Sequence, residues 1–315
     1  MALFGVAYVY GPAAGGAFLG RPIFLGNDSV QRQGKAILDI SELKGIYGGT
    51  PEFAQARHEA EEAVRDADTI EQAYPALEKA VKAAGGKHSS LRLGGLDHGA
   101  AGQEPEPVAP SVTVDDGLAM AVVPAISMED DGQRYADTLS TGIARALEDG
   151  ACGVIIDLRG NTGGDMGPMI AGLSPLLPDG QVLEFVGQNM FSPVLVEGNS
   201  VRGGGTPTTT GGGKYPETPT AVLVDDKTAS SGEATMLSFR GLENSRSFGQ
   251  PTAGYASANI VIAFPEDMKL VLTTASDRAR TGEIFTEQPV EPDVVTDTPE
   301  AAARQWLVEK CPATT

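Results

Sequence analysis

The sequence predicts an α+β protein with a small helical part on the N-terminal side and a mixed β/α core after it. From 29 to 84 the chain is charged and rich in alanine and glutamate, and its apolar residues recur at helical spacing. From about 110 onward, short apolar runs typical of buried strands alternate with amphipathic stretches. We therefore expect an N-terminal segment at 1–28, a helical domain at 29–95 and a core at 105–311.

Each element has its own local signal. In the helical domain the apolar spacing predicts helices near 32–46, 51–66 and 69–84, with Gly48 and Gly49 as one break. In the core, apolar runs predict strands near 112–114, 118–123, 154–156, 181–187, 193–197, 221–224, 258–264 and 268–275. Helices are expected near 132–148, 165–177 and 299–310, and one more after the strand at 221–224. The glycine- and threonine-rich run 203–213 predicts a flexible loop.

Composition limits the classes of partner. The chain has 23 basic and 42 acidic residues, a net charge of −19, and no basic cluster, which argues against nucleic acid. The acidity either serves solubility or steers a cationic peptide substrate, and the sequence leaves both open. The three histidines and two cysteines do not fall at ligand spacing, so neither a metal nor a cofactor is expected. Cys152 and Cys311 are either free thiols or a bonded pair.

The first 25 residues are apolar and glycine-rich, without a charge before Arg21. They are too short and interrupted for a transmembrane helix, and they lack the basic start of a signal peptide. The segment resembles the end of an export signal or a membrane anchor, and the alternative is an apolar arm packed on the body. Export or tethering would make the protein extracytoplasmic, either secreted or membrane-anchored.

Two motifs carry the chemistry. DLRGNTGG (157–164) follows an apolar run and ends in paired glycines, which predicts a buried strand entering a tight turn with free backbone N–H groups. TASSGE (228–233) follows another apolar run and places two serines at the start of a helix. A serine there is usually only an N-cap. Opposite a glycine turn that presents amides, it can be a nucleophile beside an oxyanion hole.

With GQPTAG (249–254) and VEPDVV (290–295), these motifs resemble, in the same order, those of the tail-specific or C-terminal processing serine peptidases. The resemblance runs from about 110 to the C-terminus. It implies a β/α core related to the crotonase and Clp-protease folds, a peptide or protein substrate, and a place outside the cytoplasm. By the family's register it implies Ser230 as the nucleophile, with Gly164 and Ser231 offering the oxyanion amides.

The general base departs from the common pattern of that family. Most members place a lysine after the G-x-x-T-x-G segment, where this chain has Tyr255. A phenol with a pKa of about 10 is a poor base at neutral pH. Among the histidines, His58 lies in a charged helical stretch and His98 in a glycine-rich loop. His88 lies in GGKHSS (85–90), which resembles a segment of the Ser–His branch that includes the nisin resistance proteins.

That resemblance implies His88 as the base, with Tyr255 or Lys227 as the nearest alternatives. A third group should orient the imidazole, and the sequence leaves Glu233 and Glu287 as candidates. Only about 25 residues separate His88 from the first core strand, too few for the PDZ domain of roughly 80–100 residues that related peptidases carry. We therefore expect substrate recognition between the helical part and the core.

Two other functions stay open at this stage. A catalytically inactive member of the family would bind a peptide or a hydrophobic ligand, and the missing lysine keeps this alternative open. An acyl-transfer or ester hydrolase on a crotonase-like core is the third reading, although no coenzyme-binding feature is visible in the sequence.

Overall fold

The computed structural model describes residues 2–94, 108–188 and 190–311. The contacts divide the chain into two units. The helical unit comprises 1–104, 187–189 and 257–275, and the core unit comprises 105–186, 190–256 and 276–315. His98, one of the three candidate bases, lies outside the described residues.

In chain order the helices are α1 (Ala2–Leu19), α2 (Val30–Lys44), α3 (Pro51–Asp66), α4 (Ile70–Gly85), α5 (Gly132–Glu148), α6 (Met166–Leu173), α7 (Ser231–Phe239) and α8 (Pro299–Lys310). The strands are β1 (Ser90–Arg92), β2 (Ser111–Asp115), β3 (Leu118–Val122), β4 (Gly153–Asp157), β5 (Gly180–Gly187), β6 (Phe191–Glu197), β7 (Ser200–Arg202), β8 (Thr208–Thr209), β9 (Thr220–Val224), β10 (Ser245–Gly249), β11 (Ser257–Ala263), β12 (Lys269–Ala279), β13 (Ile284–Phe285) and β14 (Val294–Val295).

The helical unit is built on amphipathic helices. α2, α3 and α4 bury one apolar face each, and this core also contains side chains of β1 and β12 such as Leu91 and Leu270. These two residues are paired where β1 runs antiparallel to β12. α3 begins where Thr50 accepts a hydrogen bond from the N–H of Phe53, with Pro51 in the first turn, a pattern typical of helix starts. The predicted helices near 32–46, 51–66 and 69–84 are thus present with small shifts of their ends.

α1 covers much of the apolar N-terminal segment and contains Pro12 within the helix. Among the described residues, no helix combines the length and the hydropathy that crossing a bilayer requires. The export or anchoring role of this segment stays a prediction.

The core unit is organised around a largely parallel sheet with the strand order β14-β10-β9-β4-β3-β2. Among the described strands of this sheet, β2 at one edge is the one that runs antiparallel to its neighbour. Side chains of β4 alternate between two layers: Val154 and Ile156 pack with α5, α6 and α7, whereas Ile155 packs with α8. Helices on both faces explain why β4 and β9 are continuous apolar runs rather than alternating ones.

This topology brings the two sequence motifs to one edge. β4 and β9 are parallel neighbours, with Ile155 opposite Ala221. Strands that run in parallel end at the same side of a sheet, where open α/β sheets bind their ligands. The motifs DLRGNTGG and TASSGE follow directly after β4 and β9, so they meet there.

The run 203–213 is largely exposed but is anchored at several positions, and here the structure differs from the predicted flexible loop. The N–H of Thr206 donates to Asp165 Oδ1 at 2.8 Å, beside the start of α6. At Gly203, where φ is 95°, a Cβ atom would lie 2.0 Å from the backbone carbonyl oxygen of Pro193, so only glycine fits this close approach. β8, within the same run, pairs with β7. The glycines allow tight packing here, whereas composition alone had indicated mobility.

A disulfide joins Cys152, just before β4, to Cys311, which ends α8. This answers the question that the sequence left open. The bond closes a segment with a sequence separation of 159 residues. Next to it, Trp306 of α8 packs on Phe248 of β10 with 5.9 Å between ring centres. The bond therefore fastens α8 to one face of the parallel sheet.

Reduction of this disulfide is expected to lower the free energy of unfolding by about 2–5 kcal/mol, because the unfolded chain regains the freedom of a long loop. Thermal unfolding with and without reductant measures the effect. The double variant Cys152→Ser, Cys311→Ser should unfold at the lower temperature in both conditions. An unfolding midpoint that reductant leaves unchanged in the parent protein would contradict this expectation.

Candidate active site

Ser230 is the residue that precedes α7, at the turn that follows β9. Its backbone has φ 53° and ψ −118°, a conformation that residues other than glycine rarely adopt. Such strain is typical of functional sites, and a sharp strand-to-helix turn of this kind presents the nucleophile in α/β-hydrolases. Ser230 is half-buried beside the start of the helix.

The paired glycines of DLRGNTGG lie against this turn. A Cβ atom on Gly163 would be 2.8 Å from the Cβ of Ser230, which shows how closely the two loops approach. On the other side, the N–H of Ile126 donates to the carbonyl of Gly163 at 3.3 Å, and the N–H of Asp165 donates to the carbonyl of Ile126 at 2.8 Å. Ile126 is therefore hydrogen-bonded to the residues on both sides of Gly164.

The two backbone hydrogen bonds of Ile126 fix the direction of the Gly164 amide. In a trans peptide the N–H points opposite to the preceding carbonyl, so the N–H of Gly164 points away from Ile126. Its own carbonyl points away from Ile126 as well and accepts a hydrogen bond from Ser231 Oγ at 2.6 Å. Within the described parts of the chain, the N–H of Gly164 has no hydrogen-bond acceptor. It is an amide donor on the side where α7 begins.

Asn161 holds the two loops together, and the sequence analysis did not single it out. Its Oδ1 accepts from the N–H of Gly163 at 2.8 Å, and its Nδ2 donates to the carbonyl of Val123 at 2.8 Å. Its backbone carbonyl accepts from the N–H of Ala229 at 2.9 Å. The side chain is fully buried, at 0% exposure. The sequence signal that could have identified Asn161 is a side-chain amide, which can both donate and accept, between the glycines of the DLRGNTGG motif.

Glu233 joins the nucleophile turn to the GQPTAG segment. Its buried carboxylate accepts from the N–H groups of Ser230 (2.9 Å), Gly254 (2.9 Å) and Tyr255 (2.7 Å). The hydroxyl of Thr252 donates to it as well. Burial raises the pKa of Glu233 and outweighs these hydrogen bonds, which lower it. Of the two roles that the sequence left for this residue, its contacts correspond to holding the nucleophile loop.

Asp277, on β12, is a second buried carboxyl that the sequence analysis missed. It is 1% exposed, and its Oδ1 has no hydrogen-bond partner among the described residues. Burial, and then the nearby charge of Glu233, hold the pKa of Asp277 well above its usual value. The folded protein therefore favours the neutral acid at this position.

This burial makes a pH-dependent stability difference expected for Asp277→Asn. The folded state holds a proton that the unfolded chain releases above about pH 4, so the wild-type protein loses stability as pH rises from there through the folded-state pKa. Asparagine keeps the shape of the neutral acid without this loss. Over that pH range the free energy of unfolding of the variant should rise relative to that of the wild type by up to about 1.4 kcal/mol per pH unit.

Urea unfolding of both proteins at several pH values between 4 and 9 measures this gain. Asp226→Asn serves as a control, because Asp226 is exposed. Stability curves for Asp277→Asn and the wild type that run parallel over the whole range would show that Asp277 is not held neutral.

The structure places the remaining candidates as follows. In the core unit, Glu287 is half-buried with its backbone carbonyl near Gly254, and Lys227 is exposed. In the helical unit, His88 follows the end of α4, and its Nδ1 lies 3.0 Å from Ser257 Oγ. His58 is exposed, with Glu62 as a neighbour at 3.8 Å.

Ser230, Ser231, Gly164 and Glu233 thus come together within the core unit, and His88 belongs to the helical unit. Across the described residues, no group of three or more histidine, cysteine, aspartate or glutamate side chains is arranged to hold a metal ion.

The chain is similar in sequence and in structure to known proteins. The model of peptidase family S41 matches residues 120–296. The nisin-resistance protein of Lactococcus lactis subsp. lactis is 31% identical over 288 residues, which cover 90% of this chain and 89% of the relative. A lipoprotein from Streptococcus agalactiae has a similar structure, with a TM-score of 0.76 at 28% identity over 91% of this chain and 99% of that chain.

The photosystem II D1 C-terminal processing protease shares the fold, with a TM-score of 0.59 at 14% identity over 87% of this chain and 94% of that one. These findings confirm the predicted α+β class, the resemblance to C-terminal processing peptidases and the likeness to the nisin-resistance protein. The chain belongs to peptidase family S41.

Proposed function

We propose that this protein is a serine peptidase that cleaves peptides or unstructured protein segments, with Ser230 as nucleophile and His88 as general base. The observation that carries the proposal is the close approach of Ser230 to the Gly163–Gly164 turn, with the N–H of Gly164 directed away from Ile126. A strained serine beside unpaired amide donors is the arrangement that acyl transfer requires.

In this mechanism Ser230 Oγ attacks the carbonyl carbon of the scissile peptide while His88 takes the hydroxyl proton. The carbonyl oxygen becomes an oxyanion, which the N–H groups of Gly164 and Ser231 stabilise. The first N–H groups of a helix have no intrahelical partner, so the amide of Ser231 is suited to this role. Protonated His88 then donates to the leaving amine, and water hydrolyses the acyl-enzyme by the same steps.

The contacts of the two adjacent serines favour Ser230 over Ser231 as the nucleophile. The hydroxyl of Ser231 donates to the carbonyl of Gly164 and so supports the turn that carries the oxyanion donor. The N–H of Ser230 donates to Glu233, which fixes the backbone at the nucleophile.

The assignment of His88 as the base rests on the resemblance of GGKHSS to the Ser–His branch of the family. The 31% identity to the nisin-resistance protein over 90% of this chain supports it. Tyr255 replaces the lysine that most family members use, and its N–H is bonded to Glu233. Among the three histidines of the sequence, His58 has the contacts of a solvated helix surface.

A peptide is the substrate class that the family supports, and a net charge of −19 would attract a cationic one. The Lactococcus lactis relative is named for resistance to nisin, so nisin is the first peptide to test. We place the protein outside the cytoplasm, secreted or tethered through its N-terminal segment. The disulfide supports this placement, because such bonds persist in oxidising compartments.

A fluorophosphonate probe on the purified protein tests the proposal, with mass spectrometry to locate the modified residue. Labelling at Ser230 together with cleavage of an unstructured peptide is the expected result. A folded protein that neither reacts with the probe nor cleaves peptides would instead be an inactive family member that binds a peptide or hydrophobic ligand. An inactive protein is the relevant alternative because this chain has Tyr255 where most members of the family have a lysine.

A further inference from the structure

The contact between His88 and Ser257 joins residues that are 169 positions apart in the sequence. Both residues belong to the helical unit, and β12 brings them together. His88 lies just before β1, which pairs with β12 through Ser90 and Val271. Ser257 begins β11, which also pairs with β12. Because β1 and β11 both pair with β12, the imidazole of His88 is held beside the hydroxyl of Ser257.

Ser257 is 8% exposed, so water competes little for this contact. The 3.0 Å separation of His88 Nδ1 and Ser257 Oγ is that of a hydrogen bond. A neutral imidazole has one nitrogen that donates and one that accepts, and a partner at one nitrogen decides which state the other adopts. The carboxylate of Glu233, a candidate for orienting the imidazole, already accepts hydrogen bonds from four groups of the nucleophile turn and the GQPTAG segment.

We propose that Ser257 is the positioning residue of His88: its hydroxyl oxygen accepts a hydrogen bond from Nδ1–H and keeps the lone pair on Nε2. This inference rests on the proposed function, in which His88 takes the proton of Ser230. An uncharged hydroxyl fixes the tautomer and the ring plane, but it does not stabilise the imidazolium as strongly as the buried aspartate of other serine peptidases does. Loss of Ser257 should therefore slow the enzyme less than loss of such an aspartate.

The tautomer can be measured without reference to activity. The full chain contains three histidines, so ¹⁵N-histidine labelling gives few ring signals, and the His88 signals are those missing from His88→Ala. At about pH 8.5, above the usual titration range of imidazole, we expect a protonated Nδ1 and an unprotonated Nε2. Ser257→Ala should give a mixture of tautomers, and Ser257→Thr, which restores a hydroxyl, should return the wild-type pattern.

Ser89→Ala is the matched control. Ser89 is adjacent to His88 in sequence and, like Ser257, is buried. Its Oγ, however, accepts from the N–H of Thr273 at 2.9 Å and lies 3.2 Å from Thr273 Oγ1. Its removal should lower the free energy of unfolding and leave the His88 tautomer unchanged. In kinetics, Ser257→Ala should lower kcat roughly 5- to 30-fold with KM little changed, the scale of one lost hydrogen bond.

The two proposals fail in different ways. An unprotonated Nδ1 in the wild type, or a tautomer that is the same in Ser257→Ala, overturns the role of Ser257 whatever the activity. A tautomer that responds as expected in a protein whose Ser230→Ala variant keeps full activity supports the role of Ser257 at the imidazole and overturns the proposed function.

Discussion

Replacement of Ser230 by alanine is expected to abolish probe labelling and to lower kcat/KM for peptide cleavage by about 10⁴–10⁶-fold, the scale seen when a serine peptidase loses its nucleophile. The substitution removes only the hydroxyl, and the backbone N–H still donates to Glu233. Because alanine is strained at a φ of 53°, Ser230→Gly is the second variant. It should be equally inactive and at least as stable as Ser230→Ala.

Ser231→Ala provides the comparison for the adjacent hydroxyl. It removes the hydrogen bond to the carbonyl of Gly164, so we expect slower but measurable labelling and cleavage. Labelling that survives in Ser230→Ala and disappears in Ser231→Ala would shift the nucleophile by one residue. Substitution of Gly164 is a poorer test of the oxyanion hole, because any Cβ there would lie 1.8 Å from the carbonyl oxygen of Ile126 and disturb the turn.

His88→Ala is expected to be nearly as inactive as Ser230→Ala, since nucleophile and base act as a unit, and the double variant should be no worse than either single one. The activity of the wild type should fall as pH drops through about 6–7, where imidazole becomes protonated and can no longer accept a proton. Steady-state rates from about pH 5 to 9 measure both effects.

His58→Ala is the matched control, because His58 is exposed on the surface of a helix, with Glu62 as a neighbour. It should keep wild-type activity and the wild-type pH profile. Full activity in His88→Ala would exclude the Ser–His pair and direct attention to Tyr255 and Lys227, the alternatives that the sequence offers.

Much of the candidate site was predictable because its parts are local. The apolar runs at β4 and β9 predict buried strands, and each strand is followed directly by the residues that form a loop of the site. The role of Glu233 was only half predicted. Its place one helical turn after Ser230 follows from the sequence, but its bonds to Gly254 and Tyr255 depend on how a distant segment returns.

The missed features depend on pairing between distant segments. β10 lies beside β9 in the sheet, yet its sequence SRSFG has one large apolar residue and no strand pattern. Similarly, nothing around Asp277 in the sequence indicates that this carboxyl is buried without a partner for Oδ1. The contact of His88 with Ser257 depends on β12, which pairs with both strands concerned.

The disulfide between Cys152 and Cys311 has a consequence for the lifetime of the protein. All four motifs, from DLRGNTGG at 157–164 to VEPDVV at 290–295, lie inside the covalent ring that this bond closes. If a foreign protease cuts the backbone once within that ring, the two fragments stay attached and the strands on either side of the cut can keep their places. After such a cut in a surface loop, the protein would run as one band on a gel until it is reduced.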